Sequence, residues 1–97
     1  MNPAIQPADL GFFSALARAG SLSAAARDLR VTTAAVSRHL AQMEKRLGVL
    51  RVNRTTRRMG LTPEGEVYLE HARRILGDID NLGELLGGAQ SSPQGLL

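Results

Sequence analysis

The most distinctive chemistry in this 97-residue sequence is a concentration of guanidinium groups in its middle third. Residues 27–58 carry nine basic side chains and two acidic ones, whereas residues 63–88 carry two basic and six acidic ones. Arginine presents a planar fork of N–H donors that matches the oxygen atoms of phosphate groups. The charge pattern predicts two roles on one chain, with a polyanion as the partner of the basic segment. The alternative is a basic surface that simply faces water.

A second group of side chains has the spacing of a two-sided helix. Val36, Leu40, Met43 and Leu47 recur at intervals of 4, 3 and 4 residues and form one apolar stripe. The opposite side carries Thr33, Ala34, Ser37, Arg38 and Ala41. Small residues allow a close approach to base edges, hydroxyl groups donate or accept hydrogen bonds, and Arg38 can reach guanine or phosphate. This side is typical of a helix that reads a DNA groove; the alternative is an ordinary surface helix.

The turn at residues 53–58 is the third chemical feature. It contains Arg54, Thr55, Thr56, Arg57 and Arg58. A turn this short cannot bury three charges, so the arginines face either water or a polyanion. Contacts of such a turn with phosphate would fix the register on DNA, and an arginine at its tip can enter a narrow minor groove.

Catalysis and metal binding have no support in the sequence. The chain has no cysteine, which excludes disulfides, thiolate ligands and a cysteine nucleophile. His39 and His71 have no Asp, Glu or Cys cluster at ligand spacing, and we expect His39 to be an ordinary surface residue. Ser37 does not face His39, since residues two apart on a helix diverge. We therefore expect neither an enzyme nor a cofactor.

The composition indicates one small soluble domain. It is 43% hydrophobic and 22% charged, enough for an aliphatic core. The first ten residues lack the basic start and apolar run of a signal peptide, and no apolar stretch approaches the roughly 20 residues of a membrane span. We expect a cytoplasmic protein without a membrane partner.

Two short helices come first along the chain. Pro7 begins the first one, and Gly20 ends it. Ser21 or Ser23 caps a second helix that we expect from Ala24 to about Leu29.

The DNA-reading side belongs to the third helix. Thr32 offers an N-cap for a helix that runs to Leu47, with Gly48 as its stop. Residues 49–61 are too β-branched and interrupted for a helix, and they predict two short strands around the basic turn. Two helices with a short link, followed by a strand pair, predict a mainly α winged helix-turn-helix.

The last helix has a longer apolar stripe than one small domain can cover. Thr62 and Pro63 begin it, and we expect it to end near Leu86, where Gly87 and Gly88 follow. Its coiled-coil seam consists of Tyr68, Ala72, Ile75, Ile79, Leu82 and Leu86. About 24 helical residues extend roughly 36 Å, so the compact part covers only the first turns. A second copy is the simplest cover for the rest; the alternative is a helix packed entirely on its own core.

Three pieces of the sequence together resemble the N-terminal winged helix-turn-helix of LysR-type bacterial transcription regulators. They are FFSALARAGSLSAAARDL, VTTAAVSRHLAQMEKRLGV and NRTTRRMGLTPEGEVYLEHARRIL. The resemblance implies base-reading roles for Thr33, Ala34, Ser37 and Arg38. It implies phosphate or minor-groove roles for Arg54, Thr55, Arg57 and Arg58. It further implies that Thr32 and Ser23 are caps near the DNA backbone, and that the last helix pairs two domains in antiparallel fashion.

The chain departs from the family pattern at two places. Many members have Gln-Pro where this chain has Thr33 and Ala34, so shorter side chains must read the same groove and the preferred bases can differ. Leu-Phe usually precedes the turn, whereas this chain has Arg51 and Val52. The second departure either weakens the packing under the wing or adds a phosphate contact.

We therefore predict three segments. Residues 1–62 form the winged helix-turn-helix, residues 63–88 the dimerisation helix, and residues 89–97 a hinge toward an effector-binding domain that this chain does not contain. The predicted function is sequence-specific binding of double-stranded DNA at an imperfect inverted repeat, by a homodimer whose full-length form could be a tetramer. Residues 33–47 would lie in the major groove and residues 53–58 on phosphate or in the minor groove. The alternative is a helical protein-interaction module that uses the seam at residues 68–86.

Overall fold

The computed structural model describes residues 3–48, 52–53 and 60–90. Its elements are α1 (Pro7–Ala19), α2 (Leu22–Leu29), α3 (Thr33–Leu47), β1 (Val52–Asn53), β2 (Gly60–Leu61) and α4 (Pro63–Gln90). The two strands pair antiparallel, with Val52 opposite Leu61. The mainly α winged helix-turn-helix predicted from the sequence is confirmed.

The ends of α1 and α2 follow from local chemistry. Gly20 closes α1 with a φ of 84°, a left-handed conformation that glycine adopts without a steric penalty. The Oγ of Ser21 accepts a hydrogen bond from the backbone N–H of Ala24 at 3.1 Å. Ser21 is therefore the cap of α2, and the alternative cap, Ser23, is wrong. The helix begins at Leu22, earlier than the predicted start at Ala24.

The predicted bounds of α3 are confirmed. Thr32 Oγ1 accepts from the backbone N–H of Ala35 at 3.0 Å, and Gly48 ends the helix with a φ of 71°. The link from α2 turns at Arg30, whose φ of 60° is left-handed. Such a conformation costs a non-glycine residue about 1–2 kcal/mol. The hydrogen bond from Val31 N–H to Ala26 O, at 3.0 Å, helps to hold this turn.

The core is shared by the first three helices, β1 and the first turns of α4. Its largest fully buried side chains are Phe13, Leu16, Val36, Leu40 and Met43. Val52 of β1 and Leu69 of α4 join the same cluster. Each such side chain removed from water contributes about 1.5–3 kcal/mol. The three buried residues from α3 therefore fix which side of that helix faces outward.

The last helix, α4, extends beyond the compact part formed by the first three helices and the strand pair. Its 28 residues extend about 42 Å, and the chain measures 51 Å along its longest axis. Thr62 Oγ1 accepts from Gly65 N–H at 3.0 Å, which confirms the predicted N-cap. None of the described helices combines the length and hydrophobicity that crossing a bilayer requires.

The predicted stop of α4 at Gly87 and Gly88 is wrong, because the helix continues to Gln90. Glycine lowers helix stability by about 1 kcal/mol but does not by itself end a helix. The glycines that end α1 and α3 take positive φ angles, whereas no positive φ is found at Gly87.

Candidate nucleic-acid interface

The two sides of α3 differ as the sequence predicted. Val36, Leu40 and Met43 are at most 1% exposed. On the other side, four of the five residues are exposed and Ser37 is half-buried: Thr33, Ala34, Ser37, Arg38 and Ala41. The structure thus brings all the predicted base-reading residues onto one outward face of one helix.

Donors on this outward face are available to a ligand. Arg38 makes no ion pair or hydrogen bond with any residue that the structure describes. The backbone N–H groups of the first helical residues lie at the positive end of the helix dipole. The Thr32 hydroxyl, which caps α3, accepts from Ala35 and still has its own proton to donate. Ser23 is exposed on the first turn of α2.

The strand pair forms the base of the predicted wing. The tip residues Arg54, Thr55, Thr56, Arg57 and Arg58 lie outside the described residues, so their phosphate contacts stay predictions. Val52 is 8% exposed and belongs to the core, and its N–H donates to Glu44 Oε2 at 2.9 Å. Val52 of β1 therefore packs into the core at the base of the predicted wing; Arg51 lies outside the described residues.

An ionic cluster behind the outward face was missed by the sequence analysis. His39 Nε2 lies 2.8 Å from Asp9 Oδ1. Arg46 Nη1 donates to Asp9 Oδ2 at 2.6 Å and to Ala4 O at 3.2 Å. One carboxylate of α1 thus joins two residues of α3. Arg46, which was counted among the cations for a polyanion, has its guanidinium group engaged inside the protein.

The expectation that His39 is an ordinary surface residue is wrong. Its ring stacks on that of Phe12, with centroids 3.8 Å apart and planes inclined by 17°. The side chain is about one-third exposed, because one ring face is covered and Nε2 meets a buried carboxylate. On a helical wheel, His39 lies between the two sides of α3. Its surroundings there depend on where α1 packs, which the sequence of α3 alone does not show.

The electrostatics of the cluster keep Asp9 charged. Burial raises the pKa of Asp9, but hydrogen bonds from His39 and Arg46 and the charge of Arg46 outweigh it, so the pKa lies below its usual 3.8. Tyr68 adjoins the cluster: burial, followed by the negative charge of Asp9, raises the pKa of Tyr68 to about 12. In the part of the chain described here, no three His, Asp or Glu side chains could hold a metal ion.

The predicted seam of α4 divides into a covered part of two residues and an uncovered part of four. Ala72 is 1% exposed, and Tyr68 packs edge-on against Phe13 with centroids 5.0 Å apart. Both residues are therefore covered by their own chain. The remaining four are 41–60% exposed: Ile75, Ile79, Leu82 and Leu86. Leu85 beside them is 77% exposed.

Sequence comparison identifies relatives of this arrangement. Residues 7–66 match the family described as "Bacterial regulatory helix-turn-helix protein, lysR family". The HTH-type transcriptional regulator DmlR of Escherichia coli (strain K12) is 40% identical over 89 residues, which are 92% of this chain and 29% of DmlR. The chain thus spans less than a third of that relative's length.

Solved structures share the same fold. A CbnR_DBD–DNA complex matches with a TM-score of 0.75 and 35% identity, covering 89% of this chain and 99% of that one. A BenM_DBD/catB site 1 DNA complex matches with a TM-score of 0.80 and 25% identity, covering 91% of this chain and 98% of that one. These matches extend beyond the first three helices into α4.

Proposed function

Because the chain belongs to the lysR family of bacterial regulatory helix-turn-helix proteins and is a DNA-binding domain of that family, we propose that two copies bind an imperfect inverted repeat in double-stranded DNA. The observation that carries the proposal is the two-sidedness of α3. One side is locked into the core, and the other presents small, hydroxyl and guanidinium groups to the outside. The chain acts by binding rather than catalysis, in the cytoplasm, where bacterial DNA is found.

In this proposal the N-terminal half of α3 lies in the major groove. Arg38 pairs with guanine O6 and N7, or with a phosphate, and the Thr33 and Ser37 hydroxyls bond to base edges. Ala34 is small enough to contact a thymine methyl group. Thr32 and Ser23 face the flanking phosphates. The short side chains at residues 33 and 34 require a close approach, which the exposed helix permits.

The wing supplies affinity rather than sequence preference. We expect residues 54–58, which follow β1 along the chain, to contact phosphate groups or the adjacent minor groove. Each arginine that neutralises a phosphate releases counterions, so binding should weaken steeply with salt.

The uncovered part of the α4 seam is the proposed dimer interface. Four large aliphatic side chains recur at helical spacing, and a monomer would leave them in water. An antiparallel second α4 removes them from water. It also sets two recognition helices about 34–36 Å apart, one turn of DNA, as an inverted repeat requires. The proposed segments remain 1–62, 63–88 and 89–97, with the helix itself ending at Gln90.

Selection of duplexes from a random pool tests the proposal. We expect enrichment of an inverted repeat whose half-site centres lie about 10 base pairs apart. The double substitution Ser37→Ala and Arg38→Ala leaves the buried side of α3 intact and should abolish the enrichment. A pool that stays random with the unchanged chain would contradict the proposed function.

A further inference from the structure

The ionic cluster connects α1 to two different turns of α3, the helix that we propose reads DNA bases. We infer that Asp9 is a positioning residue for DNA reading, because it fixes the orientation of α3 through His39 and Arg46. The inference rests on the proposed function, since the outward face of α3 is what Asp9 would orient. Asp9 itself is buried. It therefore holds α3 in position and does not touch DNA.

Two anchoring points on one helix constrain it more than one. His39 and Arg46 are seven residues apart, about two turns or 10 Å along the axis of α3. One carboxylate oxygen of Asp9 engages each of them, at 2.8 and 2.6 Å. The apolar packing of α3 sets which side faces outward, and two polar contacts at different turns limit its remaining rotation and tilt more than one contact would.

The hydrogen bonds of the ionic cluster are shielded from water well enough to stabilise the position of α3. The Asp9 side chain is 3% exposed, and those of Arg46 and His39 are 27% and 35% exposed. Exposed ion pairs contribute little, but bonds to a buried carboxylate are strengthened by the low local dielectric. The stacking of His39 on Phe12 adds a second constraint on the same residue.

Backbone packing alone does not fix α3 against α1. The helix pairs whose backbones pack closely are α1 with α2, α1 with α4, and α2 with α3. The span from α1 to α3 is bridged by side chains, and the Asp9 cluster is its polar component. His39 immediately follows Arg38, so a rotation of α3 that displaced His39 would also displace the base-reading side chains.

The test compares variants of the whole chain by their specificity ratio, the dissociation constant for random duplex divided by that for the selected duplex. Asp9→Asn keeps the shape but sets an amide donor against the donors of His39 or Arg46. His39→Phe preserves the ring stack on Phe12 and removes only the bond to Asp9. Ala17→Gly is the control: it weakens α1 through helix propensity and the loss of one methyl group that packs against the core, without touching the ionic cluster.

We expect Asp9→Asn and His39→Phe to lower the specificity ratio roughly fivefold or more, the lower end of typical coupling between separate sites. The measurements are made at a temperature at which circular dichroism shows each variant folded. Ala17→Gly should leave the ratio unchanged although it lowers the melting temperature. A ratio that is unchanged in His39→Phe, or reduced equally by Ala17→Gly, would overturn the inference.

A second readout needs no DNA. In ¹H–¹⁵N spectra of the free protein, Asp9→Asn should shift the amide signals of residues 33–35, which lie more than one helical turn from both His39 and Arg46 on α3, and Ala17→Gly should not. Unmoved signals would count against the inference. If the unchanged chain binds selected and random duplexes equally, the proposed function fails; if it discriminates and His39→Phe discriminates equally well, only the positioning role fails.

Discussion

The backbone N–H of Val52 donates to Glu44 Oε2 at 2.9 Å and so ties the first wing strand to the last turn of the recognition helix. Glu44 lies two turns beyond Ser37 and Arg38 on the same helix. The N-terminal half of α3 can therefore meet base edges while its C-terminal half holds the base of the wing. In the proposed function, one rigid helix would therefore set the register between the base contacts and the wing contacts on DNA.

Glu44→Ala should destabilise this junction. The N–H of Val52 would lose its acceptor, and leaving a buried donor unsatisfied costs about 1–3 kcal/mol of unfolding free energy. Urea unfolding followed by circular dichroism measures the loss. Glu44→Gln keeps a side chain of the same length with one oxygen acceptor, and it serves as the control. Equal losses from the two substitutions would show that the hydrogen bond to Val52 contributes nothing.

Asp9 should make the free energy of unfolding depend on pH in the acidic range. Its pKa in the folded chain is below 3.8, so its contribution is complete above that value and is lost as the pH falls through the folded-state pKa. Removing one partner of a buried ion pair costs about 3–5 kcal/mol, and the partial exposure of Arg46 and His39 places Asp9→Asn at the lower end.

The measurement is the difference in unfolding free energy between the unchanged chain and Asp9→Asn from pH 7 to pH 2.5. This difference should be constant near neutrality and shrink below about pH 4. Asp28→Asn, on the exposed side of α2, should change stability by less than about 0.5 kcal/mol. A difference for Asp9→Asn that stays constant to the lowest pH would contradict the assigned charge.

Arg38→Ala tests direct base contact. If Arg38 binds guanine, the substitution should cost about 1–3 kcal/mol of specific binding and relax the preference at one position per half-site. Arg18→Ala removes the same charge from an exposed position of α1 and should have little effect. Equal losses on selected and random duplex would reassign Arg38 to phosphate.

Arg57→Ala tests the wing. If Arg57 neutralises a phosphate, the slope of log affinity against log salt should fall in magnitude by about one unit. Arg74→Ala, on the exposed surface of α4, should not alter that slope. An unaltered slope for Arg57→Ala would exclude the contact.

Ile79→Asp tests the paired helices. The side chain is 56% exposed in one chain, so the substitution should leave the fold intact but place a charge inside the proposed interface. Sedimentation should then show a monomer, whereas we expect the unchanged chain to sediment as a dimer. Asn81→Asp adds the same charge two residues along the helix, on another face, and should leave the dimer in place.

The predictable parts of the fold depend on short-range pattern. The 4-3-4 spacing of apolar residues identified the buried side of α3, and hydroxyl residues before α2, α3 and α4 identified their caps. The sequence left Ser21 and Ser23 as alternatives because either hydroxyl can precede a helix start, and the hydrogen bond to Ala24 decides for Ser21. The predicted end of α4 at Gly87 and Gly88 was wrong, because glycine ends a helix only where a left-handed turn follows.

The ionic cluster could not be predicted in the same way. Asp9 is separated by 30 residues from His39 and by 37 from Arg46 along the chain. No local pattern joins residues so far apart, since their meeting depends on how α1 crosses α3. One signal was present: Asp9 lies four residues before Phe13, on the buried stripe of α1, where a carboxylate needs a partner. The wing tip stays a prediction from composition.

The most direct test of the account is competition anisotropy at one fixed salt concentration. The labelled duplex carries the selected inverted repeat, and the competitors are the same duplex with both half-sites scrambled and a random duplex. We expect the selected site to bind at least about 10³-fold more tightly than either competitor. A scrambled or random duplex that displaced the labelled duplex at an equal concentration would show that the outward face of α3 does not read bases.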